Sequence, residues 1–531
     1  MKKLIRAVFV LPFSAGNPKQ NRFGESISHD GSISGLVFLL SVVVVLGMIL
    51  VIGSTGQIYD RIHSNLFILT MTVTGCLAIL ICIILTVYAT FKPEMTIPNE
   101  HWDISGKIMM RFLWFFTLAS IIYSALYLAY HLDCLTNNYC VESIKQRIVC
   151  DIVLFVLRIV QTGFLARFSR FTFVSSLGLY YGLLVLFLSN VSVIVITYAQ
   201  GIQYLHTFNK TSNQIIQWSC YTNSSISDVL DKTERFLEPA VIEYCLLTIL
   251  FIAHIWPSQS KTSNSSRRSS DLYDSLIPSE TVGLIQHVDE NPYDTIGDGS
   301  HSSSSGIRNR HRSWKYISTA AAVLLNLPSI VLFIIKVNTT NDVTVLKADG
   351  FFDAVQFTVM VLVIFKCFYM LQTECKSTSN AMHFKSKEYL ILASLIGSLG
   401  YYTMRLIPYI KLMHLDPENP IKVYNYSMLI LGVYIQTVFI YQMKTYEKTV
   451  TTPTCISIEY TCLFLSVSNL LMWAIDSFVG SQFVFDKDAP TQFYGKRVWT
   501  SFYKLLYPFV IFYRFKCFVA FYGIYAKLKR Y

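Results

Sequence analysis

Twelve stretches of about 20 largely apolar residues run through this chain, each long enough to cross a hydrocarbon core about 30 Å thick as a helix. They lie near 36–54, 65–90, 109–130, 148–166, 176–199, 238–256, 315–337, 352–372, 388–410, 423–443, 455–475 and 499–524. Lipid offers no partner to a backbone N–H or C=O, so such runs satisfy themselves as helices. The expected fold is therefore an all-α polytopic membrane protein with twelve transmembrane helices. Only 15% of the 531 residues are charged, against about a quarter in soluble proteins, and the deficit is concentrated in these runs. That excludes soluble enzymes and nucleic-acid binders. Arg158, Lys366 and Arg405 interrupt the fourth, eighth and ninth stretches, which makes these the least regular.

The runs divide the chain into a tail at 1–35, a six-helix half at 36–256, a linker at 257–314, a second six-helix half at 315–524 and a short tail at 525–531. The linker is rich in Ser, Asp, Asn and Arg and buries too little apolar surface to fold alone, so it is expected to be disordered. With the N-terminus inside, cytosolic loops carry about twice the Lys and Arg of external ones, which places both termini in the cytosol. The net charge of +11 is thus a topology signal. Glycosylation sequons at Asn209, Asn223 and Asn338 all fall in loops this orientation leaves outside. The first residues faintly resemble a signal peptide, but Arg6 and Pro12 break the apolar run and favour a cytosolic tail.

Three motifs recur in order in the two halves. Gln161-Thr162-x-Phe164, Ser189-Asn190 and Pro239-x-Val241-Ile242-x-Tyr244 are followed by Gln436-Thr437-x-Phe439, Ser468-Asn469 and Pro508-x-Val510-Ile511-x-Tyr513. Each falls on the equivalent helix of its half, the fourth, fifth and sixth. The expectation is two homologous bundles; with an even number of spans in each, they share orientation about an axis along the membrane normal.

Ionisable groups in hydrocarbon are costly and mark functional positions. Glu243 is the sharpest case: an acid about five residues into the sixth span, after Pro239, in an otherwise apolar run. Burial favours the neutral acid over the carboxylate, which suits a group that takes up and releases a proton. The competing reading is a structural ion pair. Gln161, Asn190, Gln436 and Asn469 both donate and accept, so they either hold a water wire or join helices. Tyr244 and Tyr513 extend that layer or anchor span ends. Arg514 and Lys516 follow the second Pro-x-Val-Ile-x-Tyr motif and are expected to approach Glu243 across the junction of the halves. Asp353, Lys366, Arg405, Asp476 and Lys504 read as snorkelling groups near span ends.

Among the histidines only His254 falls in an expected span, and no intramembrane His or Cys cluster, Walker loop or dinucleotide fingerprint is present. No cofactor or metal is expected, and no enzymatic activity.

The segment Pro508-Phe509-Val510-Ile511-Phe512-Tyr513-Arg514-Phe515-Lys516-Cys517 resembles the terminal helix of the otopetrin family, and Pro239-Ala240-Val241-Ile242-Glu243-Tyr244 resembles its sixth helix. Gln161-Thr162-Gly163-Phe164, the Asn190 segment, Gln436-Thr437-Val438-Phe439-Ile440 and Asn469 to Asp476 fit the same pattern. The resemblance implies a proton-selective channel opened by external acid, twelve helices in two barrel-like halves, and a homodimer in the plasma membrane among lipids or sterol. It also implies that Glu243 is a functional carboxylate. Lys516 stands where the family commonly has His, and Gln442 where it commonly has an acid. A Lys titrates far above neutrality in water, so relay at position 516 is in question. The alternatives left open are a proton-coupled transporter of a small organic solute, also commonly built from two parallel repeats, and a non-conducting receptor scaffold.

Overall fold

The computed structural model describes residues 18–20, 27–29, 61–93, 96–98, 104–136, 141–173, 177–207, 225–256, 303–338, 343–374, 386–414, 419–445, 453–478 and 489–530. Within them lie the helices α1 (Arg61–Phe91), α2 (Ile104–Thr136), α3 (Val141–Phe168), α4 (Leu177–Thr207), α5 (Ser225–Ile255), α6 (Ser303–Asn338), α7 (Val343–Glu374), α8 (Ser386–Lys411), α9 (Asn419–Thr445), α10 (Pro453–Phe478), the short α11 (Ala489–Tyr494) and α12 (Lys496–Arg530). Every expected span from the second onward is one of these helices; the first, at 36–54, lies outside the described residues.

Ten of the helices are long and apolar enough to cross a membrane. α8 is formed over the expected ninth span but falls short of that apolarity, since Arg405 and a series of Ser and Gly residues lie in it. The helices show their solvent on their outer faces. On α1, Leu69, Val73, Leu77, Leu80 and Ile84 are exposed at helical spacing, while Met71, Ala78, Cys82 and Leu85 face inward. An apolar outer stripe is what a helix needs against hydrocarbon.

Several boundaries differ from expectation. α5 begins at Ser225, well before 238, and runs through Pro239; α12 likewise runs through Pro508. Neighbouring helices and side chains in a membrane bundle can serve the carbonyl a proline leaves free, so proline does not have to end the helix. Glu243 thus sits in the body of a long helix and not near its start. α6 begins at Ser303, so 303–314 is helix and not linker; once a helix is nucleated, propagation into Arg-containing sequence costs little. The tail at 525–531 is helical as far as Arg530 for the same reason. The fold is not purely α. Strand β1 (Pro18–Gln20) pairs antiparallel with β2 (Ile27–His29), and β3 (Thr96–Pro98) with β4 (Phe171–Phe173). The second pair ties the α1–α2 connection to the α3–α4 connection, and Phe173 of β4 stacks on Phe164 of α3.

Two closed circuits of helix packing organise the core. In the first, α1 packs on α3, α3 on α2, α2 on α5, α5 on α4, and α4 on α1. In the second, α6 packs on α7, α7 on α9, α9 on α8, α8 on α12, α12 on α10, and α10 on α6. Counted by expected span within each half, the shared order is second, fourth, third, sixth, fifth. The two circuits meet along a seam where α5 touches α8, α10 and α12, and α12 also touches α2 and α4. Aromatic rings fill this seam. Trp473 of α10 lies within 6.0 Å, centroid to centroid, of Phe112 and Phe116 of α2 and Phe515 of α12, at angles from tilted to edge-on.

Candidate functional site

Glu243 is delivered to this seam by α5 and is 2% exposed. Its Oε1 accepts a hydrogen bond from the Trp473 indole N–H at 3.3 Å, and its Oε2 has no hydrogen-bond partner. The carboxyl group is therefore held by one donor from the other circuit, an indole that itself packs against the rings of Phe112, Phe116 and Phe515. A single neutral donor leaves most of the desolvation cost of a charged carboxylate unmet. The partner the structure gives this carboxyl group is thus an indole and not a cation.

The cations expected opposite Glu243 lie elsewhere. Arg514 Nε is 3.9 Å from Asp476 Oδ2, and its Nη2 donates to the Tyr402 hydroxyl at 3.3 Å. Lys516 Nζ reaches Met109 Sδ of α2 at 3.9 Å. The motif itself explains why. Aligned on Pro239 and Pro508, Glu243 corresponds to Phe512, and Arg514 corresponds to Cys245, so acid and base do not share a register position.

The tyrosines of the repeated motif play matching parts. Tyr244 OH lies 3.4 Å from both the Arg158 carbonyl and Gln161 Oε1, which share its single proton, and accepts from Thr162 Oγ1 at 3.4 Å. Tyr513 OH donates to the Val433 carbonyl at 2.6 Å and lies 2.9 Å from Thr437 Oγ1. Arg158 and Val433 each precede their Gln-Thr pair by three residues. α5 and α12 thus dock their tyrosines on the corresponding carbonyls of α3 and α9. Gln161 Nε2 and Gln436 Oε1 are buried without partners. Asn190 and Asn469 each return their amide N–H to the carbonyl four residues back, Leu186 and Leu465, at 2.7 and 2.8 Å. The structure thus brings Gln161 to Tyr244 and keeps both asparagines on their own helices. Asn338 is the last residue of α6; Asn209 and Asn223 lie outside the described residues.

Other polar groups read as marginal in the sequence are buried and engaged. Arg158 is 4% exposed inside the first circuit, with its guanidinium on the Ser120 carbonyl and the Ser124 hydroxyl. His131 lies inside α2, past the expected end of the third span, and its Nδ1 is 2.6 Å from Asp151 Oδ2. Arg405 is not snorkelling: it lies over the faces of Tyr401, Tyr426 and Trp499 and donates to Tyr426 OH at 2.7 Å. Ser329 Oγ lies 3.4 Å from Asp353 Oδ1 and 3.1 Å from Gln356 Oε1, and Gln356 Nε2 donates to Asn326 Oδ1 at 2.7 Å. Lys366 is exposed. Arg158 was visible in the sequence as a break in the fourth span; its partners on α2 were not. Among the described residues no group of three or more His, Cys, Asp or Glu is placed to hold a metal ion.

Residues 195–515, more than half of the chain, match the sequence profile of the family described as Otopetrin. The chain belongs to the otopetrin family. Otopetrins are membrane channels known for conducting protons, not a family of enzymes, and this otopetrin is a multi-pass membrane protein. The match takes in Glu243, Tyr244, Gln436, Asn469, Tyr513 and Arg514, whereas Arg158, Gln161 and Asn190 precede it and Lys516 follows it. No curated protein sequence matches the chain.

Proposed function

We propose that this otopetrin is a passive, proton-selective channel of the plasma membrane, opened by external acid, in which Glu243 carries protons at the seam between two homologous six-helix halves. The observation that carries the reading is the Glu243 carboxyl group: buried, bound by one indole N–H, and left with a bare oxygen. Protons hop between ordered water and side-chain oxygens and need no open pore, so a few polar groups in tight bundles suffice while apolar walls exclude hydrated Na⁺ and K⁺. The drive is the membrane potential, about 2.3 kcal/mol per charge per 100 mV. The matching tyrosine contacts and the shared packing order support the duplication. The proposal extends to twelve spans with both termini cytosolic, glycans at Asn209, Asn223 and Asn338, and a homodimer bounded by lipids or sterol.

Whole-cell recording during an external pH drop, with Na⁺ replaced, tests it. The reversal potential is expected to follow the proton gradient, and Glu243→Gln to reduce the current severalfold at equal surface expression. Saturable flux of an organic solute without uncoupled proton current would instead identify a coupled transporter.

A further inference from the structure

The outer faces of α1 and α3 both run into cations at the same end of the first circuit. On α1 the exposed apolar stripe extends from Leu69 through Leu77, Leu80, Ile84 and Val87 to Phe91, which is 81% exposed. At 1.5 Å per residue this stripe is about 33 Å long, close to the thickness of a hydrocarbon core. Lys92 follows at once, exposed, with its Nζ 5.4 Å from the centroid of the Tyr88 ring. On α3 the exposed residues Ile152, Val156, Ile159 and Gly163 lead in the same way to Arg167 and, just past the helix, to Arg170, both exposed. The two helices pack on each other, β3 and β4 tie the connections that follow them, and Arg167 Nη2 donates to Thr90 Oγ1 at 3.4 Å. Lys92, Arg167 and Arg170 are thereby gathered at one end of a single two-helix face. No Asp or Glu occurs in 61–93 or in 152–173. The acids of the α1–α2 connection, Glu94, Glu100 and Asp103, lie outside the described residues, and Lys107 and Arg111 of α2 add two further exposed cations beside them.

Where the apolar stripe ends, the hydrocarbon ends, so these three cations lie at the depth of lipid headgroups. A guanidinium carries five N–H donors in a fork that fits a phosphate, and one long bond to Thr90 leaves most of them for another acceptor. Gly163 lies one turn inside Arg167, exposed, with nothing within 4 Å of a would-be Cβ, and so leaves a shallow gap at the depth of an acyl chain. A second copy of the chain meeting this face symmetrically would set cations against cations, whereas an anionic headgroup complements them. We infer that the α1–α3 face is a binding site for an anionic phospholipid, with the phosphate on Arg167, Arg170 and Lys92 and an acyl chain laid along the stripe over Gly163. With the orientation proposed above, the site opens to the cytosolic leaflet, where anionic lipids are concentrated and basic residues near the surface attract them. The leaflet rests on that topology; the site itself does not rest on conduction.

The experiment places the full chain in nanodiscs of equal parts phosphatidylcholine and phosphatidylserine and reads which lipid touches the face. A photoreactive benzoylphenylalanine replaces Phe91, and its adducts after illumination are identified by mass. Phosphatidylserine adducts are expected to exceed phosphatidylcholine adducts at least threefold. The same residue placed at Leu69, at the other end of the α1 stripe, is expected to give the bulk ratio. Arg167→Gln with Arg170→Gln is expected to lower the excess at position 91 by at least half. If that double variant does not fold, raised salt on the native side chains decides, because it screens exposed charges and is expected to lower the excess in the same way. A bulk ratio at position 91, an equal excess at both positions, or an excess that neither the double variant nor salt reduces overturns the inference. Adducts to a second copy of the chain in place of lipid overturn it as well and make the face a protein interface. No outcome depends on proton current, so the inference and the channel reading stand or fall separately.

Discussion

Asp476 and Arg514 sit near each other because α10 and α12 pack along much of their length, yet nothing in a one-dimensional reading pairs them. An acid at a span end looks like a snorkelling group until the partner helix is known. The ion pair is long, at 3.9 Å, and Asp476 is partly exposed, which lowers its worth; Arg514 is fully enclosed, which raises the cost of leaving it alone. Asp476→Asn is expected to cost about 1–3 kcal/mol, between the values for exposed and buried pairs. The thermal unfolding midpoint of purified protein in lipid nanodiscs should drop by several degrees, and adding Arg514→Met should restore much of it. Glu243 was legible at this scale because a lone acid in an apolar run stands out whatever its neighbours. Its donor was not, since Trp473 lies on another helix of the other circuit. Arg158 was visible as a break in the fourth span, but its burial on Ser120 and Ser124 was not, and His131 fell just past the expected end of the third; burial is decided side chain by side chain.

Elements were legible wherever the signal was a run of about 20 apolar residues, because the membrane imposes helix on any such run. What such a signal cannot carry is where the helix stops, since the hydrocarbon boundary ends the apolar run but not the hydrogen-bond ladder. α5 and α6 show this by continuing into polar sequence on their N-terminal sides. Nor does it carry how closely two helices approach. Gly397 of α8 faces α12 so tightly that an added Cβ would lie 2.5 Å from Phe509 Cβ, next to the point where Ser398 Oγ donates to the Phe509 carbonyl at 3.2 Å. Gly397→Ala must push the helices apart, and a loss of about 1–3 kcal/mol is expected from overpacking. Gly163 of α3 is the internal control: nothing lies within 4 Å of its would-be Cβ. Gly163→Ala should be neutral or stabilising by up to about 1 kcal/mol through helix propensity. Parallel thermal unfolding of the two variants checks the contrast.

For the whole molecule, repetition was visible in the sequence as three ordered motifs, but the packing order was not, because adjacency between non-consecutive helices leaves no local trace. The described helices form two circuits that are each closed by their own contacts: α5 meets α2 and α4 in the first, and α12 meets α8 and α10 in the second. Contact between the circuits falls to α5 and α12 and the aromatic rings around Trp473, with Glu243 bridging by one hydrogen bond. An interface built this way is made by side chains already fixed within each circuit, so it has no need of a covalent connection to find its register. Cutting the chain after residue 256 and co-expressing 1–256 with 257–531 is therefore expected to restore acid-evoked current to a substantial fraction of the intact level, with neither piece conducting alone. Co-purification of the two pieces should depend on the seam: Trp473→Ala removes both the indole donor to Glu243 and the ring against which Phe112, Phe116 and Phe515 pack, so it should weaken recovery of one piece on the other severalfold. If the pieces co-purify equally well with and without Trp473, the seam is held by something other than the aromatic cluster. Glu243 would then owe its position to α5 alone.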